Sequence, residues 1–131
     1  MTGVRDAWHS CVMIRISLAA LLFLSGTAVA NPPQVVAADA QSNGDTWTIS
    51  VTLSHPDSGW DHYASGWEVL APDGTKLGYR ELTHPHVDEQ PFTRSLSGVT
   101  IPDGTAEILI QPRCTMDGWV PMPTILALPQ K

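Results

Sequence analysis

WDHYASGWEVLAPDGTKLGYRELTHPHVDEQPFTR, residues Trp60–Arg94, decides how the chain is read. It holds three of the four histidines beyond residue 30, two of the four tryptophans there, and both tyrosines. Pro72-Asp73-Gly74 is a turn with a mechanism: proline presets φ, aspartate bonds the local backbone, and glycine accepts a positive φ. A glycine in the left-handed region commonly closes such a hairpin loop. The stretch therefore predicts a β-hairpin, Trp60–Leu70 against Thr75–His84, then a loop rich in histidine and acid. With Ala71 opposite Thr75, Trp67 faces Tyr79 and Val69 faces Leu77. Side chains alternate across a strand. Trp67, Val69, Leu77 and Tyr79 then form the expected core face, and Glu68, Lys76 and Arg80 the wet face. The same register sets His62 opposite His84, with His86 just beyond. A slip of one residue would undo these pairings.

Working outward, every other segment also reads as strand or turn. Thr46–Ser54, TWTISVTLS, alternates strictly: Trp47, Ile49, Val51 and Leu53 point one way, and hydroxyl residues the other. That period, with its β-branched content, marks a half-buried strand. Gln34–Ala40 precedes it across the turn Asn43-Gly44-Asp45. Thr93–Ile101 follows the hairpin, and Pro102-Asp103-Gly104 repeats the earlier turn chemistry before Thr105–Thr115. Val120–Leu128 is a last strand whose Pro121 and Pro123 suit an edge. No stretch keeps a helical period. About seven short strands with turns at fairly regular spacing predict an all-β, antiparallel immunoglobulin-like or fibronectin-III-like sandwich, with a small barrel as the alternative.

The first thirty residues read as an address. Arg15 precedes the apolar run Ile16–Leu24, and Ala28-Val29-Ala30 supplies small residues for cleavage, the pattern of a secretory signal peptide. A start at Met13 would give a more compact signal. Residues 31–131 are then a single domain, expected in the periplasm or secreted, with no membrane attachment after cleavage. That domain carries five Lys and Arg against twelve Asp and Glu, a net charge of −7. Nucleic acid and anionic membrane call for a basic patch, which is missing. Cys114 is the one cysteine beyond residue 30, so no intramolecular disulfide forms within the domain. A single cysteine of this kind reads first as a buried thiol packed like a small hydrophobe. An intermolecular disulfide and a soft metal ligand are the sharper readings.

The signatures GWDHYASGWEV, LGYREL and HPHVDEQPFTRSL, with Gly118-Trp119 further on, resemble a family of small exported bacterial proteins, largely uncharacterised. They cover about a third of the chain. The resemblance implies a β-sandwich and an exported setting, and no reaction. Cys114 stands where that family is not expected to require a cysteine.

Four histidines carry the chemical candidates. His84-Pro85-His86 is extended, because a residue before proline avoids the helical region. Both imidazoles then lie roughly on one side. His62 on the facing strand adds a third nitrogen, and His55 or Asp61, Asp88 or Glu89 closes the set. Such nitrogen and oxygen donors suit copper or zinc. The plainer reading makes the same histidines structural, bonded to backbone carbonyls and nearby acids. Trp60 and Trp119 flank glycines in loops and are the expected exposed aromatics of a binding surface, with Glu89 and Arg94 beside them. Arg94 is equally expected to pair with an acid and simply fix its loop. No nucleophile elbow, HExxH or glycine-rich phosphate loop occurs. The sequence thus predicts a non-catalytic exported module that binds a protein or small ligand. The alternative is a periplasmic copper or zinc protein.

Overall fold

The structure, a computed structural model, describes residues 31–130. The expected signal peptide, Met1–Ala30, lies outside the described residues. Among those described there are eight strands and no helix: β1 Gln34–Ser42, β2 Trp47–Ser54, β3 Ala64–Leu70, β4 Lys76–Glu81, β5 Phe92–Val99, β6 Glu107–Cys114, β7 Gly118–Trp119 and β8 Thr124–Ala127. All pairings are antiparallel. One sheet runs β1-β2-β5; the other runs β4-β3-β6-β7, with β8 also on β6.

Alternation builds the core between the sheets. Trp47, Ile49, Val51 and Leu53 of β2 face Trp67 and Val69 of β3 and Ile108 and Ile110 of β6, all in one buried cluster. Each such side chain contributes about 1.5–3 kcal/mol on full burial. The opposite face of β2 is a ladder of hydroxyls. Ser50 and Ser95 meet at 2.7 Å, as do Thr52 and Thr93, on the outer side of the sheet.

The Pro72-Asp73-Gly74 turn forms as its residues dictate. Thr75 N donates to Asp73 Oδ1 at 2.9 Å, Ala71 N to Thr75 O at 2.8 Å, and Gly74 adopts φ of 90°. Beyond the turn the expected register fails. Leu70 pairs with Lys76, but a bulge follows, and Val69 faces Gly78, Glu68 faces Tyr79 and Trp67 faces Arg80. One extra residue moves side chains to the opposite face. Tyr79 therefore leaves the core face and lies over Gly66, whose missing Cβ gives the ring room. Arg80 takes the core side of this edge strand. The pairing of His62 with His84 is lost as well, since β3 starts at Ala64 and β4 ends at Glu81.

Of the expected last strand, Val120–Leu128, only Thr124–Ala127 forms, as β8, and the two-residue β7, Gly118–Trp119, comes just before it. Pro121 and Pro123 remove ladder donors between β7 and β8, and both pieces pair with β6. The connections β2–β3 (55–63), β4–β5 (82–91) and β6–β7 (115–117) all leave from one end of the sandwich. That end carries His55, His62, His84 and His86, with Cys114 on the last residue of β6.

Candidate metal centre

Strand phase points Cys114 inward. Ile108, Ile110, Pro112 and Cys114 alternate to the buried side of β6. Cys114 pairs with Ala64 across the ladder, which sets it beside the β2–β3 loop. That loop is anchored to the next one by Thr115. Its hydroxyl accepts from Tyr63 N at 3.1 Å and donates to Asp61 O at 3.2 Å, while Thr115 N donates to Tyr63 O at 3.0 Å. Ser58 N to His62 O at 3.0 Å and His62 N to Gly59 O at 3.2 Å fold the loop into a tight bend. The bend brings His62 back over His55, with ring centroids 4.7 Å apart and planes nearly perpendicular.

The result is a cluster of three donors. One ligand atom from each of His55, His62 and Cys114 lies within 4.8 Å of the others. His62 Nε2 is 3.8 Å from Cys114 Sγ. His55 and Cys114 are buried and His62 is half-buried, so the cluster has one side toward solvent. The sulfur is also engaged by the β6–β7 turn: Asp117 N donates to it at 3.3 Å, and the thiol meets Asp117 Oδ2 at 3.5 Å. A positive φ of 72° at Gly118 lets the chain turn this tightly.

Asp57 organises the inner wall. Its Oδ1 accepts His55 Nδ1 at 2.5 Å and Ala64 N at 2.9 Å, and its Oδ2 accepts His86 N at 2.8 Å. A carboxylate can only accept, so it holds the proton of a neutral His55 on Nδ1. The lone pair is then on Nε2, a buried nitrogen with no hydrogen-bond partner. A carboxylate behind an imidazole whose other nitrogen is free is the usual outer arrangement of a metal-binding histidine.

Of the four histidines, two enter this cluster and two do not. His84 and His86 do lie together, with ring centroids 4.5 Å apart. His86, however, is stacked on Phe92 at 3.9 Å and accepts Arg94 Nη2 on its Nε2 at 3.0 Å. Burial, then the Arg94 and His84 charges, hold its pKa below the usual histidine value, while Glu89 and Asp57 partly offset them. Gln90 ties the two loops together, accepting His55 N at 3.0 Å and donating to His86 O at 2.9 Å. Arg94 also meets Glu89 at 3.4 Å. Trp60 is 68% exposed and edge-on to Tyr63, whereas Trp119 sits on Tyr79 and beneath Arg113. Of the four binding-surface candidates, Glu89 and Arg94 meet each other, and Trp60 and Trp119 make separate contacts.

The sequence alone reads Cys114 first as a buried thiol, with a soft metal ligand as a sharper reading, and gives Asp57 no role. The signals that would find them are the spacing Cys114-x-x-Asp117-Gly118, a thiol at a strand end before a tight turn, and the short step His55-Pro56-Asp57.

No family model matches the chain. A protein of Halomicrobium mukohataei named "Putative lipoprotein" is 42% identical over 70 residues, 53% of this chain and 34% of that one. The chain thus spans about a third of the length of the curated relative it matches. Two solved structures share the fold. A hypothetical protein from Pyrococcus horikoshii aligns with a TM-score of 0.51 at 16% identity, over 74% of this chain and 89% of that one. A superoxide reductase from Nanoarchaeum equitans aligns with a TM-score of 0.50 at 16% identity, over 75% and 91% of the two chains.

Proposed function

We propose that this is an exported transition-metal-binding protein whose centre is His55, His62 and Cys114. The observation that carries the reading is the buried, unpartnered Nε2 of His55, an imidazole backed by Asp57 and grouped with the donors of His62 and Cys114. Two imidazoles and a thiolate suit borderline and soft first-row ions, zinc and copper among them. Ligand bonds of about 2.0–2.3 Å put tetrahedral donors roughly 3.3–4 Å apart, and the 3.8 Å from His62 Nε2 to Cys114 Sγ meets that. Asp117, exposed and with its Oδ2 3.5 Å from the Cys114 sulfur, would offer a fourth donor. The ion would enter from the side of half-buried His62, and the Cys114 thiol proton would be released to solvent as the thiolate binds.

The exported setting is supported by the signal-like first thirty residues and by the lipoprotein name of the Halomicrobium relative. A periplasmic or secreted location, or attachment at the outer face of a membrane, fits this reading. We read the sandwich as immunoglobulin-like, with β1, β2 and β5 in the A, B and E places and β3, β6 and β8 in the C, F and G places. Redox chemistry at the loaded centre is the second reading. It is favoured by a thiol donor in a partly exposed cluster and by the fold shared with a superoxide reductase. The interaction-module reading, with an unidentified protein or small ligand as partner, rests on exposed Trp60 and Met116 near the same end.

Calorimetric titration of the untagged protein with zinc and copper tests the proposal, beside His55→Ala and His62→Ala. One ion bound per chain with sub-micromolar affinity, lost in both variants, is the expected result. Binding no tighter than that of a free histidine peptide overturns it. Superoxide consumption by the loaded protein decides the second reading.

A further inference from the structure

Arg94 lies outside the metal-binding cluster and its side chain is partly exposed at the rim. It nevertheless reaches toward His55 through His86 and Asp57. Guanidinium donates and never accepts. Its Nη2, 3.0 Å from His86 Nε2, therefore requires a lone pair on that nitrogen. A neutral His86 then carries its proton on Nδ1. That nitrogen is buried, has no hydrogen-bond partner, and faces Asp57 Oδ2 at 3.9 Å. The backbone N–H of His86 donates to the same oxygen at 2.8 Å. Asp57 passes the effect on through Oδ1, 2.5 Å from His55 Nδ1.

We propose that Arg94 is a positioning residue for the metal centre: by fixing the tautomer of His86 it keeps Asp57 directed at His55, whose Nε2 is thereby left as a donor. The inference rests on the metal reading of His55, His62 and Cys114.

The geometry around Arg94 fits a fixed donor. Its Nη1 is held by Thr93 O at 2.7 Å, and the guanidinium also meets the Glu89 carboxylate, at 3.4 Å from Nη1 and 3.5 Å from Nη2. The ring it addresses cannot turn freely, being stacked on Phe92 with planes 10° apart. With Arg94 removed, His86 can place its proton on either nitrogen. In the Nε2–H form it turns a lone pair toward Asp57, and like-charged density then faces the carboxylate that orients His55. Outer partners of this kind typically change metal affinity by about 10–100-fold.

The test uses the full exported chain with Arg94→Met, which removes every donor, and Arg94→Lys, which restores a charged one. Long-range nitrogen–proton NMR of the imidazoles reads the tautomers, and zinc titration reads the affinity. Expected are a single Nδ1–H form of His86 in the wild type, a mixture in R94M with zinc affinity lowered about ten-fold, and recovery of both in R94K. Glu89→Gln, which leaves the Arg94–His86 bond in place, should keep the wild-type tautomer. Thermal unfolding of each variant identifies any that fails to fold; a misfolded R94M is replaced by Arg94→Leu, which also lacks a donor, for the same two readouts. An affinity loss without a tautomer change marks a merely structural role and overturns the inference. Zinc binding by the wild type that R94M leaves untouched overturns it too, while sparing the metal reading. No zinc binding by the wild type overturns both.

Discussion

The Nδ1 of His55 meets Oδ1 of Asp57 at 2.5 Å, and both side chains are completely buried, with only Pro56 between them in the chain. Burial of an ionisable pair is costly unless the carboxylate is fully engaged. Here the remaining capacity of Asp57 is filled by Ala64 N and His86 N, from the start of β3 and from the β4–β5 loop. One carboxylate thus fastens the two loops to the first residue of β3 and fixes which nitrogen of His55 is free.

Replacing Asp57 by alanine should therefore do more than remove a metal-orienting group. It leaves three donors facing no acceptor, two of them backbone N–H groups. Unmet buried donors cost about 1–3 kcal/mol each, so a loss of about 3 kcal/mol or more is expected in urea unfolding without metal. Asp57→Asn keeps an acceptor oxygen and should cost less. Equal stability of Asp57→Ala and the wild type would contradict this role.

His86 sets a pH dependence. Its pKa is depressed mainly by burial, then by Arg94 and His84, against the opposing pull of Glu89 and Asp57. The unfolded chain binds a proton near pH 6.5, and the folded state resists it. The stability tied to neutral His86 is therefore fully present above about pH 6.5. It is lost as pH falls toward the lowered folded-state value. Unfolding titrations of His86→Gln should show a flatter acid limb than the wild type between those limits. Parallel limbs would show that His86 protonates equally in both states.

Gly66 is held small by Tyr79. A Cβ at Gly66 would come within 2.5 Å of the Tyr79 hydroxyl and 2.8 Å of its ring. Gly66→Ala should push the ring away and cost about 1–3 kcal/mol. It should also weaken the edge-on contact of Tyr79 with Trp119, now 6.1 Å between centroids. In the Tyr79→Ala background the same change should be nearly neutral, because the clash is gone. A full cost in both backgrounds would place the strain in the backbone.

Much of this fold is legible in local sequence, because its causes are local. TWTISVTLS alternates, and the side chains of β2 are buried in that alternation. Proline, aspartate and glycine make the β3–β4 turn by their own conformational limits. The bulge between Val69 and Leu70 is different. It turns Gly78 toward the other sheet, where Leu96 comes within 2.9 Å of its absent Cβ. No feature of the hairpin alone announces it. The same holds for the site. Strand phase turns Cys114 inward, but its neighbour is decided by β6 pairing with β3, a contact between distant parts of the chain. The histidines are visible in the sequence as a set; their division into His55 and His62 at the cluster and His84 and His86 beside it follows from sheet order.

Cobalt(II) absorption is the most direct test of the central claim, read on the wild type and on Cys114→Ser. A thiolate-to-metal charge-transfer band, with the intense ligand-field bands of a four-coordinate ion, should rise to a plateau at one cobalt per chain. Zinc should displace it, and Cys114→Ser should remove the charge-transfer band. A spectrum without that band, or one unchanged by Cys114→Ser, would contradict the assignment of His55, His62 and Cys114 as a metal centre.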